Sequence, residues 1–132
     1  MLYLLDTHCL IWFQENNPKI PEKVMKAIQE PVNTILFSRI SLFEIAIKQK
    51  IGKLPMFEAT ISEVYAQAIK DNFTFLPFQN THIEAYKKVP LFQEHRDPFD
   101  RFLIAVGREE NLIVISADKN FNLYVPDIKV LW

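Results

Sequence analysis

Cysteine is almost missing: Cys9 stands alone, so no internal disulfide can form and a reducing, cytoplasmic setting is expected. Two glycines against eight prolines exclude flexible linkers and low-complexity tracts, and neither an internal repeat nor a like-charged tail is present. No stretch approaches the roughly 20 apolar residues of a membrane span. The apolar start, Met1 to Leu5, lacks the basic flank of a secretion signal and is broken by Asp6. Excess charge of one sign is missing too. Fifteen basic and 16 acidic residues leave a net charge of −1, so no global field gathers nucleic acid. What is present is 132 residues, 49% of them hydrophobic, enough for one core and a single domain over 1–132.

Apolar runs alternate with helical periodicities. Strands are expected at Tyr3–Leu5, Thr34–Phe37, Phe73–Leu76 and Leu112–Ser116, with a fifth at the edge over Ile128–Leu131. Between them, a helix begins at Leu10–Phe13 and breaks at Asn16-Asn17-Pro18. Pro21–Glu30 is helical, opened by Pro21 and closed by Pro31. Ser41 to Lys50 is stopped by Gly52 and Pro55, and Thr60–Asp71 carries an amphipathic stripe of Ile61, Val64, Tyr65, Ala68 and Ile69. Thr81–Val89 precedes Pro90, and Pro98–Glu110 is a long helix. Strands separated by helices predict a three-layer α/β/α sandwich around a mainly parallel sheet of four to five strands.

Four carboxylates stand at equivalent places in this pattern. Asp6, Glu44, Asp100 and Asp118 each follow an apolar β-type run or lie in the first turn of the next helix. Ligands of open parallel sheets bind outside the carboxyl ends of the strands, so these acids are placed to converge. Crowded carboxylates repel, and a hard divalent cation with oxygen ligands relieves that repulsion. Each acid also has a plain structural reading. Asp6 and Asp118 suit caps or turns after their strands, and Asp97 suits an N-cap with Pro98 following. Ser41-x-x-Glu44 has the form of a capping box, a device repeated at Thr60-x-x-Glu63 and Thr81-x-x-Glu84. Glu44 differs from Glu63 and Glu84 in being surrounded by Leu42, Phe43, Ile45, Ala46 and Ile47. A carboxylate drawn into such a setting must be paired or coordinate a metal. His8 is read as a capping or packing residue rather than a general base.

The bases are unevenly spread. Arg39, Lys48, Lys50 and Lys53 face one acid, Glu44, within their segment, and Lys87, Lys88, Arg96, Arg101 and Arg108 lie further on. Arg39, Lys48, Arg96 and Arg101 are candidate contacts for a polyanion held over bound metal, set against a reading as solvated helix faces.

The segments Leu4-Leu-Asp6-Thr-His-Cys-Leu-Ile-Trp12, Ser41-Leu-Phe-Glu44-Ile-Ala-Ile-Lys48, His95-Arg-Asp-Pro-Phe-Asp100-Arg-Phe-Leu-Ile-Ala105 and Val114-Ile-Ser-Ala-Asp118 resemble, in order and spacing, the PIN-domain proteins. They are most similar to the VapC-like toxins of bacterial toxin–antitoxin pairs. The resemblance implies a Mg²⁺- or Mn²⁺-dependent endoribonuclease that dimerises and is inhibited by a cognate antitoxin protein. By position it implies Asp6, Glu44, Asp100 and Asp118 as the catalytic acids, with Asp6, Asp100 and Asp118 as metal ligands. Asp97 matches an extra acid of the subgroup, and Ser116 stands where a hydroxyl orients a carboxylate or water. Lys119 and Asn120 depart from relatives that carry a further acid there. Water activated by the metal would attack an RNA phosphodiester in line and leave 5′-phosphate and 3′-hydroxyl ends.

Two other readings are weighed. A haloacid-dehalogenase-type phosphatase needs a second Asp two positions after Asp6, where this chain has His8. A non-catalytic PIN-like module that binds RNA or protein is signalled by a missing acid, and all four are present.

Overall fold

A computed structural model describes Met1–Trp132 and places five strands in one sheet. In chain order the elements are β1 (Leu2–Leu5), α1 (Thr7–Gln14), α2 (Glu22–Gln29), β2 (Thr34–Ser38), α3 (Arg39–Lys50), α4 (Ile61–Lys70), β3 (Thr74–Leu76), α5 (Asn80–Tyr86), α6 (Pro98–Glu109), β4 (Ile113–Ile115) and β5 (Lys129–Leu131). A 3-10 turn over Lys119–Tyr124 joins β4 to β5. The sheet order is β3-β2-β1-β4-β5, and every pairing is parallel, as the alternation of strands and helices predicts.

Both faces of the sheet are covered, which makes its strands apolar on successive residues rather than alternate ones. Tyr3, Leu5, Ile35, Phe37 and Ile115 join α1, α2, α3 and α4 on one side. Leu4 packs with α6 residues Phe102, Leu103 and Val106 on the other, and Val114 meets Ile104, Ala105 and the α5 residue Ala85. This is the three-layer sandwich. The chain leaves the central strand β1 toward β2 and β3, then returns to β1's other side through β4. The exits of β1, β2 and β4 are therefore neighbours, and a reversal of strand order of this kind opens a crevice at the strands' carboxyl ends.

Helix starts differ in detail from the sequence pattern. Asp6 caps α1 directly, accepting from the Cys9 N–H at 2.8 Å, so that helix begins three residues before Leu10. Ser38 caps α3 through the Ile40 N–H, which puts Ser41 inside the first turn. The capping box expected at Ser41 and Glu44 therefore does not form. Thr60 and Glu63 do form one. Thr81 and Glu84 do not, because α5 starts at Asn80, and Glu84 pairs with Lys87 instead. Helix α5 also ends at Tyr86, short of Val89.

Arg101, expected at a polyanion-binding rim, is buried. Its guanidinium donates to the Tyr86 hydroxyl at 2.9 Å and to the Val89 carbonyl at 2.8 Å, with its carbon 4.9 Å from the Tyr86 ring centre. One cation thus ties the segment after α5 to α6, and Arg101 is removed from the candidate substrate contacts. Arg101→Met keeps the stem but leaves those acceptors unpaired, which is expected to cost about 2–4 kcal/mol. Thermal melts should show a Tm lower by roughly 10 °C. Arg108→Met, at a half-exposed side chain with one long bond to the Lys88 carbonyl, should change Tm little.

Candidate metal centre

Each acid is delivered by a local structural device. Asp6 follows β1, with its N–H bonded to the Ile115 carbonyl of β4 and its Oδ1 capping α1. It is buried, and desolvation raises its pKa against hydrogen bonds from Ser116 and Cys9 that favour the carboxylate. Asp118 follows β4. Its N–H donates to Ser116 Oγ at 3.1 Å, and its Oδ1 accepts from the Asn120 N–H at 2.9 Å. Asp97 caps α6 through Oδ1, accepting from the Phe99 and Asp100 N–H groups, and this places Asp100 in the first helical turn. At the start of α3, Ser41 Oγ accepts from the Thr7 hydroxyl at 3.0 Å, which joins the α1 and α3 entries.

Glu44 is buried one turn further along α3. Lys48 Nζ holds its Oε2 at 2.9 Å, while Oε1 is enclosed and has no hydrogen-bond partner. With the capping box gone, only the pairing-or-metal reading of Glu44 stands.

Asp100 is the hub. Its carboxylate lies in one group with Glu44 and Asp97 and in another with His95 and Asp118, the ligand atoms of each group lying within 4.8 Å of one another. Burial pushes its pKa up to about 8, and the charges of Asp97, Glu44, Asp6 and Asp118 push in the same direction. Asp6 stands outside both groups; it faces Asp118 across a neighbouring cavity. Asp97, expected mainly as a helix cap, also belongs to the cluster.

His95 was not among the expected site residues. It is buried, with Nε2 3.1 Å from Asp100 Oδ2 and 4.0 Å from Asp118 Oδ2, and Nδ1 2.9 Å from the Tyr124 hydroxyl. An imidazole protonated on Nε2 satisfies both contacts, donating to Asp100 and accepting from Tyr124. Burial lowers its pKa, opposed by Asp118 and Asp97, so the neutral ring predominates near pH 7. His8, by contrast, is exposed on α1. The available signal was proximity: His95 stands two residues before the Asp97 cap. Tyr124, its other partner, lies 29 residues on in sequence.

Of the bases, Arg96 is exposed beside His95, and Arg39 is exposed with its guanidinium 4.6 Å from the Phe75 ring centre. Lys48 is committed to Glu44.

These residues fit a hard divalent cation. The donors are carboxylate oxygens from α1, α3, α6 and the 3-10 turn, Glu44 Oε1 is buried without a partner, and the ionised cluster repels itself. Asp100, Asp118 and Asp6 would hold such an ion, with Glu44 beside them.

The profile of the PIN domain family matches residues 3–125. Several solved structures share the fold. VapBC2 from Rickettsia felis, bound to a DNA fragment from its promoter, is 14% identical with a TM-score of 0.67 over 99% of this chain and 98% of that one. VapBC-1 from nontypeable Haemophilus influenzae is 19% identical, with a TM-score of 0.65 over 99% and 97%. FitAcB from Neisseria gonorrhoeae is 18% identical, with a TM-score of 0.63 over 98% and 96%. No curated protein matches.

The raised pKa of Asp100 sets a pH dependence. Its folded pKa of about 8 exceeds the ordinary 3.8, so between these values the folded chain binds the extra proton. Stability from this group therefore falls as pH rises through that window. In EDTA, Asp100→Asn should melt higher than wild type at pH 8 and lose that advantage toward pH 5. His95, whose lowered pKa acts in the opposite sense, contacts Asp100 directly, so the difference reports Asp100 together with its effect on the neighbouring groups. Equal melting temperatures at pH 8 would contradict the cluster electrostatics.

Proposed function

The chain belongs to the PIN domain family, and from that premise we propose that it is a metal-dependent endoribonuclease using Mg²⁺ or Mn²⁺. We further propose that it acts as the toxin of a toxin–antitoxin pair, in the manner suggested by structural neighbours named as VapBC complexes. The observation that carries the catalytic reading is the unpartnered Oε1 of buried Glu44, which shares a carboxylate group with Asp100 and Asp97.

When bound, the divalent ion acidifies water and neutralises charge developing on the phosphate. The chain's residues do the rest. Asp100, Asp118 and Asp6 are the residues that would hold the ion. Glu44 Oε1 accepts the proton of the attacking water while Lys48 fixes Oε2. His95, backed by Tyr124, keeps Asp100 oriented, and Ser116 does the same for Asp6 and Asp118. Arg39 and Arg96 remain available to backbone phosphates. The antitoxin would cover apolar side chains that α3 and its surroundings leave exposed, among them Phe43, Ile51 and Phe78, and a second copy of the chain would complete a homodimer. No helix is long and apolar enough to cross a membrane.

Purified free of partner, the protein should cut RNA in Mg²⁺ or Mn²⁺ and stop in EDTA, leaving 5′-phosphate ends. Glu44→Gln should slow cutting by about a hundredfold or more, and Asp118→Asn should abolish it with unchanged far-UV circular dichroism. Asp97→Asn should be milder, since Asn caps a helix about as well as Asp. Expression should arrest bacterial growth, and Asp118→Asn should relieve the arrest. Near-wild-type cleavage by Glu44→Gln would remove Glu44 as the base, and harmless expression of an active nuclease would remove the toxin role.

A further inference from the structure

The cavity between Asp6 and Asp118 opens beside the carboxylate cluster and shares Asp118 with it. It has a volume of about 260 Å³ and is lined by Asp6, His8, Trp12, Ala117 and Asp118. Its aromatic wall is built by helical spacing: His8 and Trp12 lie one turn apart on α1, with ring centres 5.9 Å apart. Trp132, just beyond β5, backs Trp12 at 5.8 Å. Lys19 places its ammonium 5.2 Å from the centre of the Trp12 ring. Trp12 and Trp132 are half-buried where they close the edge of the core, whereas His8 and Lys19 are exposed.

We propose that this cavity is a base-stacking slot that takes one nucleobase of a single-stranded RNA, next to the phosphate held over Asp118. The inference rests on the ribonuclease reading and adds how the strand is gripped. The lining selects the occupant. With Asp6 and Asp118 committed to the ion, the remaining wall is aromatic, and a neutral planar base can stack on one of the His8 and Trp12 rings while meeting the other, tilted by 51°, along its edge. The phosphate beyond that base then meets Lys19, the cation stationed at the same aromatic wall. Aromatic rings beside a cation, tracking away from a catalytic centre, are how single strands are bound without sequence readout.

Trp12 and Trp132 are the only two tryptophans, so intrinsic fluorescence reports on the slot directly. The experiment uses the full chain carrying Glu44→Gln, in Mg²⁺, with a five-nucleotide oligoadenylate or an abasic strand of equal length as probe. The oligoadenylate should quench tryptophan emission and the abasic strand should not. By polarisation of a labelled oligoadenylate, His8→Ala and Trp12→Leu should each weaken binding about five- to a hundredfold. Trp12→Phe, which keeps a stacking face, should restore most of it. Lys19→Gln should lower the salt dependence by about one phosphate contact. Equal quenching by the abasic strand, or unchanged binding in both His8→Ala and Trp12→Leu, would overturn the slot. If either occurs while the wild-type chain still cleaves RNA, the slot alone fails. If the wild-type chain cleaves no RNA, the ribonuclease reading has failed first.

Discussion

The burial of Asp100 among other acids is the constraint to which the rest of the site answers. Burial presses hardest on its carboxyl group, and the charges of Asp97, Glu44, Asp6 and Asp118 push the same way. A fold does not gather such groups by default, because each ionised neighbour raises the cost of the next. The chain meets that cost through local anchors. Asp6, Asp97 and Asp118 each fasten one oxygen to backbone N–H groups, and Lys48 fastens one oxygen of Glu44. Fixed this way, Glu44, Asp97 and Asp118 bring carboxylate oxygens to Asp100 while Asp6 stands beside them, an arrangement that suits a hard cation.

The sheet order makes the gathering possible. With β1 central and β2 and β4 on either side, three strand exits and the entry of α6 meet above one edge. Ordinary helix capping then doubles as carboxylate placement: what stabilises the start of α1, α6 and the 3-10 turn also orients an acid. The two explanations weighed for Asp6, Asp97 and Asp118 are therefore not alternatives. His95 and Arg101 extend the same economy. One imidazole braces Asp100 against Tyr124, and one buried guanidinium holds the preceding segment in place.

Much of this was legible in residue order. Apolar runs and stop signals located the five strands, and the recurrence of acids after them anticipated the carboxylates that gather around Asp100. The misses share a cause. Whether Ser38 or Ser41 caps α3 depends on where β2 ends, and β2 ends where pairing with β3 ends, a non-local fact. Arg101 reads as one more surface base until Val89 and Tyr86 fold over it. His95 carries no pattern of its own, since its partners are five and 29 residues away. Periodicity sees one element at a time, and these roles arise between elements.

Because the metal-free Asp100 carboxyl has a pKa of about 8, it carries a proton near neutrality. A cation bound there must displace that proton, since ligand oxygens coordinate in deprotonated form. Calorimetric titration of Mn²⁺ at pH 7, in two buffers of different ionisation enthalpy, counts the displaced protons. The account predicts about one proton released by the wild-type chain, and in Asp100→Asn both a loss of that release and weaker binding. Buffer-independent heat in wild type, or undiminished affinity in Asp100→Asn, would contradict the claim that the cluster is built around a cation.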